Sequence, residues 1–245
     1  PESRCDLSTY PASAEAISLK DCKLRSLPKS IARFSRLRKL DLGRNELSTL
    51  PPLPPSVEIL FLLSNAFEAV PHAVGVLPAL RMLSFKSCRL RAIDVPLPRT
   101  LNWLILTDNQ LSSLPTQLGE LVLMRKLMLS NNLLSSLPRS MASMTSLELL
   151  RLANNRLRRL PEWLLELPVL TWLAVAGNPM FAPPPPRHSL AAISLADLSL
   201  QAKLGEGTSG LVHRALWRGE TVAVKMYKQK LSSDGRNIDE VAASS

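Results

Sequence analysis

Apolar residues fall at fixed offsets along most of the chain, as in Leu147, Leu150, Leu152, Leu157 and Leu160, with Asn155 set among them. The polar member of this frame recurs as Cys22, Asn45, Asn65, Cys88, Asn109, Asn132, Asn155 and Asn178, at steps of 23, 20, 23, 21, 23, 23 and 23 residues. One structural unit is being copied, which predicts a solenoid. Leu150 and Leu152 stand two apart, so a short strand puts both on one face, and Leu157 and Leu160 carry the apolar surface around a bend. A single copy cannot bury that surface, whereas stacked copies make a continuous core. The Asn at each bend is expected to be buried and bonded to backbone groups that would otherwise cost about 1–3 kcal/mol each. Cys22 and Cys88, small and with a weak donor, are expected to stand in for it. Asn131, beside Asn132, is expected on the surface.

A Leu-Pro step follows most bends, at Leu27-Pro28, Leu50-Pro51, Leu114-Pro115, Leu137-Pro138 and Leu160-Pro161, with Val70-Pro71 as a variant. Long repeats then carry apolar residues three apart, such as Ile31, Phe34 and Leu37, or Leu118, Leu121 and Met124, which predicts short helices. Two short repeats carry proline-bounded turns instead, at residues 51–55 and 96–98, where a helix cannot propagate. Over about residues 14–182 the pattern resembles the leucine-rich repeat family. The fold class it implies is α/β, a leucine-rich-repeat horseshoe of about eight repeats.

The chain has 245 residues and a net charge of +10. Residues 1–182 hold 22 Lys and Arg against 14 Asp and Glu, so +8 of that charge lies on the repeats. Electrostatic steering would come mainly from there. Aromatic residues are few and no nucleic-acid motif is present, which argues against a nucleic-acid partner. Three cysteines, two on the ladder, predict no disulfide framework. Without a membrane-length apolar run, a signal-peptide core or a glycosylation acceptor, the reading is an intracellular, cytoplasmic chain with no membrane partner. It begins at Pro1, so an address further upstream would lie outside it.

After Asn178 the frame stops, and Pro183 to Pro186 favour a stiff extended segment. The expected organisation is a flank at 1–13, repeats at 14–182, a proline-rich linker at 183–197 and a second domain at 198–245. In the last, Leu198, Leu200, Ala202 and Leu204 alternate as a strand does and lead into Gly205, Glu206, Gly207, Thr208, Ser209 and Gly210. Strands from Leu211 to Trp217 and from Thr221 to Tyr227 follow, joined by a turn at Arg218-Gly219-Glu220, giving three antiparallel strands. A glycine motif alone is weak, because the dinucleotide fold uses the same spacing. That fold needs a helix after the glycines, whereas Val212, Arg214 and Leu216 alternate as a strand.

With Val222-Ala223-Val224-Lys225 on the third strand, residues 198–245 resemble the start of a protein-kinase amino-terminal lobe. The resemblance implies ATP as cofactor, with Gly205, Gly207 and Gly210 covering its phosphates and Glu206, Thr208 and Ser209 in the same loop. It implies adenine packed on Val212 and Ala223, and Lys225 on the α and β phosphates. It implies Glu240 as the ion-pair partner of Lys225; a helix-start carboxylate is the ordinary alternative for Glu240. Core packing is the plain alternative for Val212 and Ala223. The residues reach Ser245 without a catalytic base or metal-binding Asp. Mg2+ would need a downstream lobe, and residues 1–245 alone are not expected to transfer phosphate.

Between the buried leucines, alternate positions point to the concave sheet that such arrays use for binding. There Ile59, Phe61, Leu63, Met82, Trp103, Ile105 and Met128 form an apolar patch bordered by Lys39, Lys86, Lys126 and Arg151. A patch of this kind marks a protein contact unless a neighbouring segment covers it. Two readings follow. One is the front part of a leucine-rich-repeat protein kinase, Ser/Thr by resemblance, whose repeats bring a protein partner to the catalytic domain. The other is a non-catalytic interaction protein with a vestigial or truncated kinase segment.

Overall fold

The structure is a computed structural model that describes residues 5–180, 195–207 and 210–227. Its packing divides the chain into two units, Pro1–Ala182 and Pro183–Ser245.

In the first unit each repeat gives a three-residue strand: β1 (Ala16–Ser18), β2 (Lys39–Asp41), β3 (Ile59–Phe61), β4 (Met82–Ser84), β5 (Trp103–Ile105), β6 (Lys126–Met128), β7 (Leu149–Arg151) and β8 (Trp172–Ala174). They lie in one parallel sheet in chain order. The short repeats leave the register intact: Lys39 pairs with Ile59, and Met82 with Trp103. Their missing residues come out of the side opposite the sheet, where the prolines stand. The middle residue of every strand from β1 to β7 is at most 2% exposed. That row and the row two residues on, which includes Leu42, Leu62, Phe85 and Leu106, run through one core.

Opposite the sheet the expected helices are mostly 3₁₀ turns, at Lys29–Arg33, Thr116–Glu120, Arg139–Ser143 and Glu162–Leu164, with one α-helical turn at His72–Gly75. The spacing of Ile31, Phe34 and Leu37 explains the difference. A three-residue period puts side chains on one edge of a 3₁₀ turn, and such turns run for only a few residues. Each begins directly after a proline, which takes the cap position in extended backbone.

The ladder is as expected for the asparagines. Asn132 Nδ2 donates to Leu106 O (2.9 Å) and Leu129 O (3.1 Å), and its Oδ1 accepts from Leu111 N–H (3.0 Å). Each such side chain therefore ties one repeat to the one before it. Cys88 supplies the donor, with Sγ 3.3 Å from Leu62 O. Burial pushes its thiol up to about 11.

Cys22 departs from expectation. It is bonded to Cys5, with the Cα atoms 5.5 Å apart, so it has no thiol proton to give. The amino-terminal flank folds back over the first repeat: Leu7 is buried, Arg33 Nη2 donates to Leu7 O (2.8 Å) and Tyr10 Oη to Ser18 O (3.0 Å). Cysteine spacing does not reveal that return of the chain, which is why no disulfide was expected.

A second ladder was not expected. The residue before each ladder position has φ between 53° and 73°: Asp21, Arg44, Ser64, Ser87, Asp108, Asn131, Asn154 and Gly177. Asn131 is thus no idle surface residue. It donates to Asp108 and accepts from Asn154 Nδ2 (2.8 Å), while Ser87 Oγ reaches Asp108 at 3.1 Å. A Cβ on Gly177 would lie 1.9 Å from Asn154 Oδ1, so a larger residue there would have to displace the Asn154 side chain.

The second unit holds β9 (Ser199–Gly207), β10 (Gly210–Trp217) and β11 (Glu220–Tyr227), antiparallel in the order β11-β10-β9. Arg218 and Gly219, at φ 50° and 86°, make the two-residue turn between β10 and β11. Positive φ at both positions matches the twist of a hairpin, so Glu220 belongs to the strand.

Candidate functional site

Strand pairing aligns the alternate positions into two columns across the sheet. One runs Lys39, Ile59, Met82, Trp103, Lys126, Leu149 and Trp172; the other runs Asp41, Phe61, Ser84, Ile105, Met128, Arg151 and Ala174. All seven apolar residues singled out from the sequence, Ile59, Phe61, Leu63, Met82, Trp103, Ile105 and Met128, are half-buried. They pack side by side rather than standing free, and Ser84 is buried among them at 3% exposed.

The border lysines lean inward. Lys126 Nζ lies 4.5 Å from the centre of the Trp103 ring, and Lys39 Nζ lies 5.8 Å from that of Phe61. Both are cation–π contacts, in which the ammonium is drawn to the negative ring face. The Trp103 Nε1–H beneath is buried without an acceptor. The ion pairs described in the array link Arg25 to Glu46, Arg38 to Glu58, Arg44 to Asp21, Arg99 to Glu120 and Arg125 to Glu148. None of these uses Lys39, Lys86, Lys126 or Arg151, so the charges around the apolar strip are not spent on neighbouring carboxylates. Asp41 offers its carboxylate to Gly43 N–H (2.9 Å).

Trp172, which the repeat frame puts in the same column but outside the apolar patch, is 58% exposed.

In the second unit, β10 places Val212 opposite both Gly205 of β9 and Lys225 of β11, and Arg214 opposite Ala223. Gly207 faces Gly210 across β9 and β10. Glu206 faces Leu211. Val212 is half-buried and Ala223 exposed, and a Cβ on Gly205 would meet open space. Thr208, Ser209 and Glu240 lie outside the described residues. Among the described residues no His, Cys, Asp and Glu group could hold a metal ion, and no helix is long and apolar enough to cross a membrane.

Comparison with known proteins agrees with the array. A Leucine rich repeat family model matches residues 99–157 and 122–180, and a second matches residues 36–58. The first unit is a stack of leucine-rich repeats. A probable serine/threonine-protein kinase of Dictyostelium discoideum is 53% identical over 36 residues, 15% of this chain and 4% of that protein. Ras guanine nucleotide exchange factor V of the same organism is 32% identical over 105 residues, covering 36% of this chain and 5% of that one. Among solved structures, the plant peptide hormone receptor RGFR1 in complex with RGF2 is 26% identical at a TM-score of 0.56, covering 67% of this chain and 28% of the receptor. The chain thus spans a small part of the curated relatives it matches.

Proposed function

We propose that residues 1–245 are the amino-terminal part of a leucine-rich-repeat protein kinase acting on Ser or Thr, in which the repeats recognise a protein partner on their strand face. The observation that carries the kinase reading is the row Gly205–Val212–Lys225 across three antiparallel strands, encoded directly after a repeat array. The likeness to a probable serine/threonine kinase, over 36 residues, lends it slight support. The receptor solved with a peptide hormone supports a protein or peptide ligand for the array.

The residues fit ATP by their register. The glycines leave backbone N–H groups free of side-chain cover at the hairpin, as phosphate oxygens require. Val212 and the small Ala223 offer an apolar surface for adenine. On this reading Lys225, paired with Val212, supplies a fixed charge to the phosphates and Glu240 is its ion-pair partner. Bound ATP with Mg2+ supplies the phosphoryl group; this chain's share is to bind and orient it.

Full-length protein carrying Lys225→Met tests the reading. Phosphotransfer should fall to background while the protein stays folded, because positioning and electrostatics carry this catalysis. Parental activity in a folded variant would remove Lys225 from the site. The likeness to an exchange factor favours a second reading, in which the array serves as an interaction module without catalysis; a full-length protein that neither binds nucleotide nor transfers phosphate would select it. For the array, the combined Phe61→Ala, Trp103→Ala and Met128→Ala variant should lose an identified protein partner that the parent binds.

A further inference from the structure

The strand face has an order that the general reading does not use. Along one column the sequence of side chains is Lys39, Ile59, Met82, Trp103, Lys126, so a strip of three apolar residues is closed at each end by a lysine. The columns on this face carry Lys20, Lys39, Lys86, Lys126 and Arg151 against the single carboxylate of Asp41, which already caps a backbone N–H. Lys39 and Lys126 rest on Phe61 and Trp103 rather than on any carboxylate. Both lysines have flexible stems that keep apolar contact while the ammonium moves.

Resting on the proposed role of the strand face, we infer that it binds an extended acidic–apolar segment of a partner protein, with two carboxylates about six residues apart read by Lys39 and Lys126. The spacing follows from sheet geometry. Four strand-to-strand steps of about 4.8 Å separate β2 from β6, roughly 19 Å, and an extended chain advances about 3.3 Å per residue. An even separation also puts both carboxylates on one side of the segment, together with the residues two and four positions on. Those two side chains then meet the Ile59–Met82–Trp103 strip while the carboxylates take the ammonium groups as charge-assisted hydrogen bonds. As Lys126 swings from the Trp103 ring to its carboxylate, the indole N–H, now buried without an acceptor, opens to a carbonyl of the segment.

Labelled twelve-residue peptides of one composition, with glutamates at i and i+3, i+6 or i+9 and leucines at i+2 and i+4, test this by fluorescence anisotropy on the intact chain. The i+6 peptide should bind tightest, on the order of tenfold over the others, and more weakly as salt rises. Lys39→Met and Lys126→Met should each abolish that preference, Lys39→Arg and Lys126→Arg should keep most of it, and Arg158→Met should leave it intact. Trp103→Phe should bind more weakly with the preference retained. Equal binding of the three spacings, parental binding by both Met variants, or tighter binding of an oligouridylate of equal charge would overturn the inference. A folded partner that binds the parent, is lost by the triple alanine variant and ignores both Met variants would leave the strand-face reading standing while removing this one.

Discussion

The two units use strands in opposite ways. In the array, strands of three residues succeed because every repeat lays two apolar rows on the next, and these rows run through one buried core. In the second unit, strands of eight or nine residues make longer paired ladders, yet Ala215 is the one buried residue among those described. Leu204 is 52% exposed, Leu200 41% and Met226 37%. Pairing satisfies backbone groups in both, but only stacking removes apolar surface from water, and that is the larger driving force. The same contrast separates their candidate sites: the array offers a broad face, the hairpin a single row of positions across three strands.

The sharpest way to break the comparison is a pair of truncations. Leu150→Ala, at 0% exposure in β7, should cost about 2–5 kcal/mol, whereas Leu204→Ala should change stability by less than about 0.5 kcal/mol. Denaturant titration of the intact chain measures both, and similar losses would mean that the second unit is packed as tightly as the first. Next, Cys5→Ser should destabilise the array by about 3 kcal/mol, the loop-entropy value for a closure of this length. Reductant should lower the melting temperature of the parent and leave the variant unchanged.

Cys88 gives a pH test. Its thiol is raised from 9.0 to about 11 by burial, so the folded state favours the neutral form. That contribution is complete below pH 9 and is lost as pH rises toward 11, by up to about 2–3 kcal/mol. Cys88→Asn, which restores the ladder residue, should show a smaller decline over the same window. Asn132→Ala should cost about 1–3 kcal/mol by stranding Leu111 N–H and two carbonyls. Asn131→Ala, expected from sequence to be silent, should cost about 1 kcal/mol, because its φ of 57° disfavours a residue with a Cβ and no local hydrogen bond. Asn131→Gly separates the two causes: recovery of stability would assign the loss to backbone strain, and an equal loss to the outer hydrogen bonds.

How much of this was legible beforehand follows from the range of each interaction. Periodicity alone determined the repeat frame, the inner Asn ladder, the column order of the strand face and the three antiparallel strands, because each depends on residues a fixed step apart. A stacked array repeats its neighbours, so local spacing becomes tertiary position. What the sequence left open lay off that repeat. The Cys5–Cys22 bond depends on a non-repeating flank folding back. The left-handed row before the ladder places eight residues of several types in one conformation, which no residue type announces. The two lysines that border the apolar strip were visible as charges in the sequence. That they lie over aromatic rings, uncommitted to any carboxylate of the array, was decided only when the strands came into register.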